Sequence, residues 1–312
     1  MIRYLRHKEI DREKWDRCIE ESVNGLIYAS SWYLDIVSPG WEALEENDYQ
    51  SVFPLTGASK MGIRYLRQPF FTQQLGLFST GPLSVGSVTD FLRAIPAKFR
   101  FAEIHLNSFN TLDKELFHGE LRKNHELELV LPHTSLATRY SQNTSRNIRK
   151  AVEAGVTVKR TIDPEELIRL FRDNFGGKEG KLGYRDYLTI TQLITHSLRR
   201  SAGILMGSSA REGSMDAAAF FLRDKSRFIF LFSASDFATR DNGAMFLLLD
   251  TFIREHCSRP MILDFEGGND PGLGRFYKSF GAVETGYPTV RINRLPPLLD
   301  AGVRLVKKIR GR

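Results

Sequence analysis

Residues 228–281 read FIFLFSASDFATRDNGAMFLLLDTFIREHCSRPMILDFEGGNDPGLGRFYKSFG. An apolar run, Phe228 to Phe232, passes into a polar loop from Ser233 to Asn242. A helix-like run follows from Gly243 to His256, and a second apolar run, Met261 to Phe265, ends in Glu266, Gly267 and Gly268. A short aromatic and basic helix over 272–280 closes the stretch. The order is strand, loop, helix, strand, loop, helix. Polar residues collect where each strand ends, and there a ligand can reach backbone groups.

Working outward, three strands at 203–208, 217–222 and 227–233 form a meander, with Arg211 to Gly213 and Arg223 to Ser226 as turns. Before it, 141–155 reads as a helix with Ile148, Ala151 and Val152 on one stripe. Arg146, Arg149 and Lys150 lie on the other side, and Gly155 stops the helix. A strand at 156–160 precedes a helix that opens with Asp163 as N-cap, Pro164 in the first turn and Glu166 three residues after the cap. The glycine- and lysine-rich stretch 176–183 either closes over a phosphate or is a solvated loop. An amphipathic helix spans 186–200.

The first half begins with a helix over 11–21 that buries Trp15, Cys18 and Ile19. Trp32 and Tyr33 open a short helix and serve either the core or a ligand. From Tyr49 the pattern becomes strands, with 57–62 as a turn and 73–79 as a further strand. Gln73 and Gln74, adjacent amides at the start of that strand, either read a polar substrate or cap a sheet edge. A helix over 87–99, broken near Pro96, leads to strands at 101–107 and around 126–130. The halves thus share an order: hairpin, apolar run, helix, strand. A last strand at 289–293 precedes a basic amphipathic tail, 298–312, which either touches RNA or an anionic membrane or docks on its own protein.

The chain has 312 residues, 42% hydrophobic and 26% charged, which suits two modest domains or one large one. No run approaches the 18 or so apolar residues of a membrane span, and the charged N-terminus lacks the apolar core of a signal peptide, so a cytoplasmic protein with no integral membrane segment is expected. Two cysteines without metal-ligand spacing read as reduced packing residues, and no metal is expected. The net charge of +7 favours anionic partners without choosing among them.

Meander, loop, helix, strand, helix, strand is the order of a GNAT acyltransferase core. Three stretches sharpen the likeness. SRNIRKAVEAGV (145–156) is similar to the helix that opens the second domain of FemABX proteins. LDFEG (263–267) followed by PGLGRFYKSFGA (271–282) resembles the family's end motif, and QPFFTQQLGLFS (68–79) resembles a FemAB-like subgroup. The resemblance implies an α+β fold of two GNAT-like domains, each a mixed, mostly antiparallel sheet flanked by helices. These would be 1–138 and 139–293, with 294–312 returning to the first domain. It implies an acyl-CoA donor held at Arg240, Asn242, Gly243 and Ala244, where the helix N-terminus favours an anion. Here Met245 takes the last small position of the family's turn, and Asp241 adds a negative charge. The peptidoglycan branch, which uses aminoacyl-tRNA, carries a lysine where this chain has Tyr277, and Lys278 is one residue later.

Acyl transfer to an amine needs a base, oxyanion donors and an acid for the leaving group. Asp264 and Glu266 alternate with Leu263 and Phe265 and so share a face. Glu266 is the candidate base, although either acid could instead cap the next helix or pair with Arg275. Tyr277 is the candidate acid, or a packing residue. Arg146, Asn147, Lys150, Arg275 and Phe276 are candidates for contacts with substrate or donor phosphate, and a solvated helix face is the alternative for Arg146, Asn147 and Lys150. The expected activity is transfer of an acyl group from acyl-CoA to an amine of a small-molecule or cell-envelope precursor. Aminoacyl-tRNA-dependent transfer and a non-catalytic ligand-binding GNAT fold are the alternatives.

Overall fold

The structure is a computed structural model that describes residues 1–175 and 182–296. The chain separates into two compact units. The first starts at Met1, runs to Arg122 and resumes at Tyr287, and the second is Lys123–Gly286.

The first unit contains β1 (Arg3–Leu5), α1 (Arg12–Glu21), α2 (Ser31–Val37), β2 (Glu42–Glu46), β3 (Ser51–Leu55), β4 (Gly57–Lys60), β5 (Ile63–Arg67), β6 (Phe78–Ser79), α3 (Val85–Ala94) and β7 (Phe99–His105). Strands β1, β2, β3 and β6 pair antiparallel in that order. In the other sheet β4 pairs antiparallel with β5, and β5 runs parallel to β7. Asp11 caps α1, which turns Trp15, Cys18 and Ile19 inward as their spacing requires. Phe53, Phe91, Leu92 and Phe99 lie in one core cluster.

Two readings of this half need correction. Residues 57–60 are strand, and the turn is confined to Met61 and Gly62, both with positive φ, because Lys60 faces Ile63 across a two-residue hairpin. Of 73–79, only Phe78–Ser79 is strand, with an isolated parallel bridge from Leu75 to Leu106. Gly76 has φ +101°, and a Cβ there would lie 2.3 Å from Asn110 Oδ1. Side-chain amides therefore replace the ladder: Asn24, Asn107 and Asn110 all donate to the Leu77 carbonyl.

The second unit takes in most of β8 (Leu121–Glu128), then α4 (His133–Ala137), α5 (Gln142–Glu153), β9 (Thr157–Lys159), α6 (Pro164–Phe175), α7 (Tyr184–Arg199), β10 (Gly203–Ser209), β11 (Ala217–Arg223), β12 (Arg227–Ser235), α8 (Ala244–His256), β13 (Ile262–Asp264), α9 (Pro271–Lys278) and the start of β14 (Val283–Asn293). From Thr289 onward β14 pairs antiparallel with β7 of the first unit's sheet. Strand order in the second unit is β8-β13-β12-β11-β10-β9, antiparallel except for β12 and β13. Each unit thus pairs two strands in parallel with a helix in the connection, β5 with β7 and β12 with β13, although beside β7 the paired strand is β5 and the 75–79 run adds only the Leu75–Leu106 bridge. A core of Leu127, Phe221, Phe228, Phe252, Leu263 and Phe280 joins the sheet to α8 and α9.

Ser141 caps α5, and Gly155 follows it at φ +74°. On that helix Ala151 is buried, but Val152, read as part of the buried stripe, is 60% exposed. Most of the glycine-rich stretch 176–183 and the basic tail 298–312 lie outside the described residues. Of the segment 294–312, Arg294 donates to the carbonyls of Ile95 and Pro96. Among the described residues no helix is long and apolar enough to cross a membrane, and no His, Cys, Asp and Glu group could hold a metal.

Candidate active site

The parallel pair sets the geometry. β12 meets β13 only from Arg227 to Ile229, opposite Ile262 to Asp264. Beyond that point β13 has ended, while β12 runs on to Ser235. Among the described residues no strand pairs with 230–235 on that side. On the other side the register against β11 slips, with Phe220 opposite Phe232 and Phe221 opposite Phe230, so Leu231 is a bulge. A bulge re-aims the side chains that follow it. Phe230 contacts Phe265 and Tyr277, whereas Phe232 packs on Phe171 of α6.

At the mouth of this split, Glu266, Gly267 and Gly268 all have positive φ, at 50°, 102° and 119°. The chain leaves the strand at Asp264, so the two-residue alternation does not extend to Glu266 and the shared face is lost. The turn is held from below. The Glu266 N–H donates to Asp264 Oδ1 at 3.0 Å, and the Gly267 N–H to Asn124 Oδ1 at 3.0 Å. Asp264 is buried and saturated: Asn124 Nδ2 donates to Oδ1 at 3.0 Å and Arg227 Nη1 to Oδ2 at 2.8 Å. Arg227 also reaches Glu126 at 3.2 Å. Asp264 therefore pairs with Arg227 rather than Arg275, and the cap of α9 is Asp270, whose Oδ1 accepts from the N–H groups of Gly272 and Leu273.

Tyr277 comes up beside the turn from α9. Its ring stacks on Phe265 at 4.9 Å and lies 5.9 Å from the ring of His125. Burial, and then the charges of Glu266, Asp270 and Asp264, push its hydroxyl well above the usual phenol range. It stays a protonated donor at neutral pH. Lys278 points elsewhere, as the 100° step along a helix requires. Its ammonium is 2.6 Å from Glu284, and hydrogen bonds from Lys278 and then Lys123 draw that carboxyl down to about 2. Phe276 packs on Phe246 and Phe280, and Arg275 is exposed.

The start of α8 is closely built. Asn242 Oδ1 accepts from the Ala244 N–H at 2.9 Å, and its Nδ2 donates to buried Asp216 at 2.9 Å. Gly243 has φ +80°, and a Cβ there would lie 2.2 Å from the carbonyl oxygen of Asn147 on α5. Gly243→Ala should therefore lower the melting temperature by several degrees, about 1–3 kcal/mol of strain and clash. Arg240 is exposed, its guanidinium 5.6 Å from the Phe237 ring centre. Arg146 and Lys150 are exposed on α5. Asn147 donates from its side chain to the Asn143 carbonyl.

The other four candidates belong to the first unit. Tyr33 is fully buried and donates to the Phe71 carbonyl, and Trp32 packs edge-on against it. Gln74 donates to Gln73 Oε1 at 2.7 Å and accepts from the Ser108 N–H at 3.0 Å. Both glutamines are buried and hold the 72–80 segment.

Comparison with known proteins fits this geometry. Residues 138–279 match the family model described as an acetyltransferase (GNAT) domain. The structure of FemX superposes with a TM-score of 0.67 at 16% identity, covering 91% of this chain and 96% of FemX. The chain has the FemABX-like GNAT fold. L-PGS from Bacillus licheniformis superposes at 0.57 with 14% identity, over 97% of this chain and 98% of that one. A tandem GNAT protein from the clavulanic acid biosynthesis pathway does so at 0.51 with 7% identity, over 95% and 99%. No curated protein matches the sequence.

Within this GNAT fold the sequence pointed to Glu266 and Tyr277 but passed over Asn124, His125, Glu126 and Arg227. The signal was a run of polar residues, Arg122 to Glu126, leading into alternating Leu127, Glu128 and Leu129, and an arginine opening an apolar strand.

Proposed function

We propose that the second unit is an N-acyltransferase that moves an acyl group from acyl-CoA to an amine on a small-molecule or cell-envelope precursor. The observation that carries this reading is that, among the described residues, no strand pairs with β12 on its β13 side beyond Ile229, where it faces a mouth that holds Glu266 and Tyr277. A strand edge with no neighbouring strand suits an extended arm of amides such as the one in CoA. It would lay the thioester toward the end of β13. Glu266 takes a proton from the acceptor amine as the nitrogen attacks the thioester carbonyl. The C–S bond breaks and Tyr277 gives its proton to the leaving thiolate, regaining one from Glu266 through the mouth.

One observation favours a second donor, an aminoacyl ester on RNA. The first amide of α8 is already taken by Asn242, and the Asn147 carbonyl lies against Gly243. A carbonyl oxygen is an acceptor, which repels a diphosphate. The test is the melting temperature, together with released thiol, in the presence of acetyl-CoA, longer acyl-CoAs and free CoA. A CoA species at a hundred times its dissociation constant adds about 2.7 kcal/mol, and a shift of several degrees is expected. No shift, with ribonuclease-sensitive transfer from charged tRNA, would replace the first donor by the second. Neither shift nor transfer would remove the enzymatic reading.

A further inference from the structure

We propose that His125 is the positioning residue of the mouth: its Nδ1–H holds the Glu266–Gly268 turn, and its ring sets the spacing between that turn and Tyr277. The proposal rests on reading Glu266 as the base. Three consecutive positive-φ residues are a strained exit from a strand, and a non-glycine in that region persists only where its surroundings fix it. The surroundings here come largely from two adjacent residues of β8. Asn124 accepts from the Gly267 N–H, and the His125 carbonyl accepts from the Phe265 N–H at 2.9 Å. His125 Nδ1 lies 2.9 Å from the Gly267 carbonyl oxygen. That carbonyl accepts, so Nδ1 carries the proton and the tautomer is fixed. Nε2 is buried without a hydrogen-bond partner among the described residues, 3.9 Å from Glu284.

The ring also fills the space a side chain at 268 would need. A Cβ on Gly268 would lie 2.2 Å from both Cε1 and Nδ1 of His125, and one on Gly274 would lie 3.4 Å from Cε1. The imidazole is thus wedged between the turn that carries Glu266 and the helix that carries Tyr277. With 0% exposure it has no route to act on a substrate directly. Its role is to hold the other two in register.

Asparagine and glutamine separate the two ring nitrogens. The Asn amide nitrogen sits on Cγ, as Nδ1 does, while the Gln amide nitrogen sits one bond farther out. Three full-length variants are compared: His125→Asn, His125→Gln and His125→Phe. Amide hydrogen exchange over 265–269 needs no substrate. It should quicken about tenfold or more in the Gln and Phe variants and less than about threefold in Asn. Turnover with acetyl-CoA should follow the same order, with kcat falling and KM for the donor unchanged, because the base moves while the donor edge does not. Unchanged exchange in His125→Phe, or equal effects in Asn and Gln, overturns the proposal. If the Phe variant does not fold, the Asn and Gln pair decides, since both lose the ring and differ in where the donor sits. If Glu266→Gln keeps wild-type turnover while exchange behaves as stated, the base assignment falls and the positioning of the turn stands.

Discussion

Glu266→Gln should lower turnover about a hundredfold or more, the usual contribution of a positioned base, while moving the melting temperature by less than about 2 °C. The two halves of this expectation have separate grounds. Loss of activity follows because Gln cannot take a proton from the acceptor amine. Retention of the fold follows because Glu266 enters the turn's scaffold through its backbone N–H, donated to Asp264, and the substitution leaves that bond in place. Glu266 is half-buried at the mouth, where a neutral amide of the same size fits. Asp264 makes the contrast. Its oxygens already accept from Asn124, Arg227 and Glu266, so it has no capacity to serve as a base. Lys278→Ala should leave turnover near wild type, since the ammonium is engaged by Glu284 on the outside of α9. A Glu266→Gln variant with normal turnover, measured as thiol released from acyl-CoA in the presence of the amine, would remove Glu266 from the reaction.

The legible part of the fold was the part written by period. The meander, α8 and the strand β13 follow from apolar runs of strand and helix length, and the capping residue Asp163 fixed the start of α6. The 73–79 segment was misread because it is largely apolar, yet Gly76 takes a conformation that breaks the ladder and buried asparagines complete the bonding. Those partners come from residues 24, 107 and 110, remote in sequence, so no local pattern reveals them. The site divides the same way. Glu266 and Tyr277 stood out as candidates because they flank the end of a strand in one short stretch. Asn124, His125 and Arg227 act across 37 to 143 residues of chain, through side chains whose bonds to the turn and to Asp264 appear only when β8, β12 and β13 lie side by side. Gly243 looked like a phosphate-binding glycine. Its conformation also meets the need of α5 and α8 to approach closely.

Arg227→Met should be the most destabilising of these substitutions, with a deficit of about 3–5 kcal/mol and a melting temperature lower by about 10 °C. The Arg227 side chain is 12% exposed, and its guanidinium bonds both Glu126 and Asp264, the latter with 2% of its side chain exposed. Methionine fills the stem's volume but leaves two carboxylates in a buried site with no cation between them. The deficit should depend on pH with a fixed sign. Burial first, and then the charge of Asp264, already raise the Glu126 carboxyl above the usual range against the pull of Arg227. A carboxyl raised in the folded state contributes stability below its unfolded pKa and loses it as pH rises through its folded value. Removing Arg227 raises the folded value further, so the variant should lie nearest the wild type at about pH 5 and farthest from it at about pH 8. A deficit that is the same at both, followed by thermal melting, would mean that the arginine acts by packing alone. Adding Glu126→Gln and Asp264→Asn to Arg227→Met should then separate charge from contact. If buried charge is the cause, the triple variant melts above the single one and its pH dependence disappears. The turn at Glu266 would still be weakened, because an Asp264→Asn amide that rotates its nitrogen toward the Glu266 N–H no longer accepts from it.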